Sequence, residues 1–361
     1  MPRNFRNFPS TWENDIAACR ALLAAGSRSF FAASLLLPRC VREPATALYA
    51  FCRIADDSID AAWGSPQSIE RVRERLERLY RGSPLNLPVD RALATVVERH
   101  RIPSRLFEAL FDGLEWDAAG RRYANLSELH AYASRVAGSV GVMVALLMGV
   151  RGPEVLGRAA DLGVAMQLTN VARDVGEDAR AKRLYLPLDW LSEAGIEADA
   201  WLARPKYTPE LGVVVARILD AAETLYQRAD LGIGHLPAGC RVGITAARLF
   251  YAEIGHQLRR DGLDSVSRRT VVPVRRKAAL LVRAAVVGRA SATSYASPCA
   301  EQTRYLIEAA VAGMSGAMPL AAAPAWWQMH RRAVWVIDLF DRLHRRQWGE
   351  NVPEALAEAT V

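Results

Sequence analysis

The sequence predicts an all-α protein. Three features predict it: apolar residues recur every three or four positions through most of the chain, strand-like alternation is missing, and Pro and Gly gather in short clusters between the helical runs. In "PQSIERVRERLERLYRG" (66–82), Ile69, Val72, Leu76 and Leu79 share one face, Arg and Glu fill the other, and a glycine follows the end. "SRLFEALFDGLEWDAAG" (104–120) and "PELGVVVARILDAAETLYQRADLG" (209–232) follow the same pattern. Pro/Gly clusters around residues 82–88, 149–153, 203–209, 232–239 and 312–324 read as helix connections, and no internal repeat is present. These features divide the chain into one main helical domain, residues 1–290, and a C-terminal extension, 291–361. The extension holds one amphipathic helix, "AWWQMHRRAVWVIDLFDRLHRRQWGE", apolar on one face and basic with Trp on the other. That helix reads either as docked on the body or as lying on a membrane surface.

At 361 residues the chain can bury a large core. Its formal net charge of +7 suits a polyanion, whether nucleic acid, acidic lipid or diphosphate, without choosing among them. The five cysteines (Cys19, Cys40, Cys52, Cys240, Cys299) are scattered and form no C-x-x-C pair, which argues for a reducing compartment and against a zinc knuckle. The first residues lack the apolar run of a secretory signal. The uncharged stretch Val136–Val150 is short for a bilayer span, and the longer one, Ala309–Met329, is interrupted by Gly313, Gly316, Pro319 and Pro324. A cytoplasmic location is therefore expected. His130 and His256 have no ligand-spaced partner and read as structural.

Two acidic clusters carry the chemistry. In "LYAFCRIADDSID", Tyr49, Arg53, Asp56 and Asp60 fall on one helical face, with Leu48, Phe51, Cys52, Ala55 and Ile59 around the rest. In "AMQLTNVARDVGEDARAKRLYLP", Gln167, Asn170, Asp174 and Asp178 again share a face, beside Val164, Leu168, Val171 and Val175. Carboxylates on an otherwise buried helix need partners. Two such stripes facing each other could hold Mg²⁺ through monodentate carboxylates and an amide oxygen, with substrate phosphates completing the shell. Arg53 and Arg173 lie beside the acids, placed to pair with carboxylate or phosphate. Nucleotide-binding glycine motifs are missing, and "AGSVGVMVALLMG" reads as close helix packing.

With these motifs in view, the chain resembles the squalene/phytoene synthase family, head-to-head trans-isoprenyl diphosphate synthases, and within it the bacterial phytoene synthases. The aspartate motifs match as "DDSID" and "NVARDVGED". "GSRSFFAASLLLP" is similar to the family's substrate flap and "YASRVAGSVG" to its central helix. "KRLYLPLDWL", "AARLFYAEIG" and "DSVSRRTVV" resemble later segments, and the likeness spans roughly residues 15–285. It implies a helical isoprenoid synthase bundle with a central cavity, condensing two prenyl diphosphates through a cyclopropyl diphosphate. Geranylgeranyl diphosphate would give phytoene; the alternative is a squalene-type reaction on farnesyl diphosphate. A third reading, a non-catalytic membrane-associated scaffold, conflicts with the intact aspartate motifs.

By motif position, the resemblance assigns Mg²⁺ (or Mn²⁺) to Asp56, Asp60, Asn170, Asp174 and Asp178. It places Ser27, Arg28, Ser29 and Phe30 over the diphosphate, with Tyr49, Arg53, Gln167, Asn170, Arg173, Tyr251 and Arg268 as further substrate contacts. Tyr132 would steer proton transfer near the cation. Gly26 stands where some relatives have a histidine. An apolar tunnel lined by Val136, Val140, Met143, Leu147 and Val164 would hold the prenyl tails. NADPH and nucleic acid are not expected as partners; peripheral membrane contact and a downstream phytoene desaturase are.

Overall fold

The computed structural model describes residues 9–26, 33–61, 66–288 and 299–315, and every regular element among them is helical. In chain order these are α1 (Trp12–Gly26), α2 (Arg39–Ala61), α3 (Pro66–Tyr80), α4 (Pro88–His100), α5 (Ser104–Ala118), α6 (Leu126–Ala133), α7 (Ser139–Leu147), α8 (Pro153–Arg173), α9 (Val175–Arg180), α10 (Leu188–Glu193), α11 (Ala198–Ala203), α12 (Pro209–Ile233), α13 (Ala238–Arg260), α14 (Val274–Val287) and α15 (Arg304–Ser315). A π-helical turn, Ser134–Gly138, joins α6 to α7. The compact unit that contains these helices runs to Ser315, past residue 290, because Leu306, Ile307 and Ala310 of α15 are core residues. The Trp/Arg-rich stretch of the C-terminal extension lies outside the described residues.

Local signals behave as the sequence predicts. α3 buries Val72, Leu76 and Leu79 and leaves its Arg/Glu face to solvent or to ion pairs, among them Arg73 with Glu115 of α5 (2.6 Å). The Thr208 hydroxyl caps α12 by accepting from Leu211 N (3.3 Å), with Pro209 at the first helical position. The Asn125 side chain caps α6 by accepting from Glu128 N (3.1 Å), while the Glu128 carboxylate accepts from Ala124 N (2.9 Å).

Two large apolar cores form among the described residues, with a small third cluster where α14 meets α13. One joins α1–α5 with α7, built on Phe51, Leu93, Phe107, Phe111 and Leu146. The other gathers α6, α8 and α12 around Tyr132, Leu168, Ile218 and Tyr226. α8 is the axis of the molecule, with α12 along one side and α7 across another. The crossing with α7 is at backbone contact: a Cβ on Gly141 would meet the Ala159 carbonyl oxygen at 2.3 Å, and one on Gly163 would meet that of Ala137 at 2.2 Å. The glycines of "AGSVGVMVALLMG" therefore serve close packing, as expected. The unbroken helical stretch Leu126–Leu147 is long and apolar enough to cross a membrane, but 56% of its apolar window is buried inside the protein.

Candidate active site

A cavity of about 750 Å³ opens between the two cores. Its wall takes Tyr49, Cys52, Arg53 and Asp56 from α2 and Asp117 from the end of α5. Gln167, Asn170 and Arg173 come from α8, Tyr251 from α13, Arg269, Thr270, Val271 and Val272 from the segment leading into α14, and Lys277 from the first turn of α14. The polar groups gather at one end. The other end, with Val140, Val144, Met148, Leu162, Ala229 and Leu236, is apolar apart from the buried Arg158. Tertiary folding thus brings Asp56 of the first acidic motif and Asn170 of the second, more than a hundred residues apart, to one cavity. Asp174 and Asp178 do not line it, and Asp174 meets it only through Arg173 and Arg269.

On α2, Arg53 lies between two carboxylates, 3.2 Å from Asp56 and 2.7 Å from Asp57. Asp60 sits in the last turn of α2, and its side chain lies outside the described residues, as do Ser27, Arg28, Ser29 and Phe30 of the flap. Burial pushes the Tyr49 phenol above its usual range and the Cys52 thiol up to about 12.

The second motif departs from the single helix face expected of it. α8 ends at Arg173, Asp174 has non-helical dihedrals (φ −102°, ψ 14°), and α9 starts at Val175. The cause is an inserted loop. Gly176 N donates to Ser265 O (3.0 Å), and a Cβ on Gly176 would meet Val266 O at 2.2 Å, so only glycine admits the loop at this distance. Asp178 still lies one turn on, its N–H donating to Asp174 O (2.8 Å). The break turns the Asp174 carboxylate to two guanidinium groups, Arg173 (Nε 2.7 Å) and Arg269 (Nε 2.9 Å). Asp178 makes no hydrogen bond through its carboxylate among the described residues. Burial, and then the Asp174 charge, push its pKa up to about 7.

Beside the acidic motifs stands a carboxylate that sequence reasoning missed. Asp117 accepts hydrogen bonds from the hydroxyls of Tyr132 and Tyr185, both at 2.7 Å, and burial pushes its carboxyl up to about 6. The rings of Tyr123, Tyr132 and Tyr185 pack in one group, with centroids 5.2 to 6.2 Å apart. Because Tyr132 gives its proton to Asp117, the phenolic lone pairs are what the oxygen can still offer to the cavity. The clue lay in "KRLYLP", which contains Tyr185; nothing local in "LEWDAAG" marks Asp117.

Arg268 and the tunnel wall are placed differently from expectation. Arg268 donates to Asp261 O (3.1 Å) and does not line the cavity; its neighbour Arg269 does, and reaches Asp174. Val136 and Val140 line the tunnel, whereas Met143, Leu147 and Val164 are buried in the cores and do not. The cavity face follows ordinary helical spacing from Val136 and Ala137 through Val140, Gly141, Val144 and Met148, one residue round from the expected face, so Met143 and Leu147 pack into the core instead.

Among the described residues no group of three or more His, Cys, Asp or Glu side chains converges on one point. The donors present are nonetheless of the type a hard divalent cation takes: Asp56, Asn170, Asp174 and Asp178 all offer oxygen. The raised Asp178 carboxyl, beside a second acid, is a place where added positive charge is favourable.

A profile of the squalene/phytoene synthase family matches residues 23–277. The chain belongs to the squalene/phytoene synthase family. Within it, the chain is 48% identical over 312 residues to the phytoene synthase of Cereibacter sphaeroides, covering 82% of this chain and 88% of that one. It is 48% identical to the Rhodobacter capsulatus phytoene synthase, over 79% of this chain and 85% of that one. Among solved structures, a dehydrosqualene synthase crystallised with a ligand superposes with a TM-score of 0.70 at 29% identity, covering 76% of this chain and 96% of that one. The helical fold expected from the resemblance is therefore the family's fold.

Proposed function

We infer that this protein is a phytoene synthase, joining two geranylgeranyl diphosphates head to head and releasing diphosphate, without a reductant. The observation that carries the reading is the two-ended cavity. One end gathers Arg53, Arg173, Arg269 and Lys277 with Asp56 and Asn170 from the two acidic motifs, Asp174 being held by Arg173 and Arg269; the other is an apolar tunnel. That is the form needed to ionise a diphosphate while keeping a long allylic cation from water. The 48% identity to relatives named phytoene synthase supports this branch over the squalene type.

Asp56, Asp60, Asn170, Asp174 and Asp178 would hold Mg²⁺ (or Mn²⁺), which supplies charge neutralisation to the departing diphosphate. Arg53, Arg173, Arg269 and Lys277 bind the phosphate oxygens from the protein side. Gln167, Asn170 and Tyr251 fix the diphosphate's orientation within the polar end. Tyr132, its proton committed to Asp117, presents oxygen lone pairs to the cationic carbon and shields it. Val136, Val140, Val144 and Met148 exclude water from the prenyl chain.

The test is to incubate the purified protein with Mg²⁺ and either geranylgeranyl or farnesyl diphosphate, with and without NADPH, and to analyse extracts by mass. A C40 hydrocarbon made from the longer substrate without reductant is the expected result. A C30 product, or a cyclopropyl intermediate that waits for NADPH, overturns it in favour of the squalene branch.

A further inference from the structure

Helix α14 is apolar on two faces and packed on one. Leu280 and Ala284 rest against Ala246, Leu249 and Phe250 of α13. The opposite face carries Ala278, Val282 and Val286, with Val282 67% and Val286 70% exposed. Val274, at the start of the helix, is 83% exposed and Val271, just before it, 73%. An apolar helix face is normally buried against something. The segment's own charge has one sign: from Val266 to Gly288 the chain has six Lys/Arg and no Asp or Glu. Arg269 and Arg276 are engaged by Asp174 and Glu253, while Arg275 and Arg283 lie on the exposed side. The same segment forms the cavity entrance, where Thr270, Val271, Val272 and Lys277 contribute to the wall.

We propose that Val271, Val274 and the outer face of α14 dock on an anionic bilayer surface, setting the cavity mouth against the lipid. An exposed apolar crest flanked by cations matches the chemistry of a headgroup region, where apolar side chains enter the acyl boundary and Arg meets lipid phosphate. Charge complementarity selects this occupant. A second copy would bring Arg275 and Arg283 against the same basic face, and the chain's own stretch from Ala325 to Trp348 has five Arg against two Asp. Membrane docking gives an amphiphilic diphosphate a route in and a hydrocarbon a route out. This traffic rests on the function proposed above; the docking does not.

The test is flotation of the full-length protein with phosphatidylcholine vesicles, with or without about one-third phosphatidylglycerol. The wild type floats with the anionic vesicles. The double variant Val282→Asp, Val286→Asp partitions about tenfold or more less well, while its turnover of detergent-dispersed geranylgeranyl diphosphate is unchanged, since neither residue lines the cavity. A double variant that floats like the wild type overturns the proposal and moves docking elsewhere in the chain, residues 316–361 included. A wild type that ignores anionic vesicles overturns it too, as does a wild-type dimer that the double variant dissolves while vesicle binding stays constant. The detergent assay tests the enzymatic reading separately: flotation without hydrocarbon formation sinks that reading and leaves the docking intact.

Discussion

Replacing Gly176 with alanine sets two effects of opposite sign against each other. Alanine is the better helix former, worth up to about 1 kcal/mol, and Gly176 lies in α9 with no left-handed dihedral to relieve. Against that, the new Cβ would sit 2.2 Å from Val266 O, 2.7 Å from its Cα and 2.8 Å from its carbonyl carbon. All three are backbone atoms, so no rotamer change relieves the clash. The loop must retreat by roughly 1 Å, with an overpacking cost of about 1–3 kcal/mol. Its bond from Gly176 N to Ser265 O, now 3.0 Å, lengthens with it, a further loss of about 1 kcal/mol. The net is a destabilisation of about 1–3 kcal/mol. The loop also carries Arg269, so its retreat draws that guanidinium from Asp174. Urea unfolding read by circular dichroism measures the first effect, and turnover with saturating Mg²⁺ the second; kcat/KM should fall about tenfold or more. A Gly176→Ala protein with wild-type stability and wild-type turnover would refute the inserted-loop account of the second motif.

Four further outcomes are expected. Asp56→Asn and Asp174→Asn keep side-chain size but remove charge; each should lower turnover by about a hundredfold or more and raise the Mg²⁺ concentration for half-maximal activity, with near-wild-type circular dichroism. Full activity in either variant would remove it from the metal set. Arg269→Ala should lower kcat/KM about tenfold or more while Arg268→Ala stays within about twofold, and equal losses would show that the two arginines share one role. The Asp117 carboxyl is raised in the folded state, so the native protein holds the extra proton between about pH 4 and 6, and this group's stabilising contribution declines as pH rises through that window. Relative to Asp117→Asn, the wild type should lose up to about 3 kcal/mol of unfolding free energy from pH 4 to pH 6; a pH-independent difference in urea titrations would refute the burial of that charge. His130 behaves in the opposite sense: burial lowers its pKa to about 4, and its Nε2 has no hydrogen-bond partner among the described residues, so its contribution is lost as pH falls from about 6.5 to 4. A His130→Leu protein should show less acid destabilisation over that interval, and an unchanged acid limb would count against a neutral, buried imidazole.

By itself, the sequence determined the helical class, the amphipathic faces of helices such as α3 and α12, the two acidic motifs, and the presence of Tyr49, Arg53, Gln167, Asn170 and Arg173 on them. These follow from periodicity and residue type, which act over one or two helical turns and are visible in a linear string. What the tertiary structure decided depends on contacts between distant segments. The loop at Ser265–Val266 enters the helix at Gly176 and breaks the second motif at Asp174, which 3.6-residue spacing alone cannot reveal. Packing of α7 against the core decided that the tunnel face runs through Val144 and Met148 while Met143 and Leu147 are buried, a choice between adjacent positions about 100° apart that helical spacing alone leaves open. The choice of Arg269 over Arg268 at the cavity was settled by a backbone carbonyl, Asp261 O, that captures the earlier guanidinium. Asp117 became a site residue only when folding buried it between two tyrosine hydroxyls from other segments, since a lone acid at a helix end looks solvated until its neighbours are known.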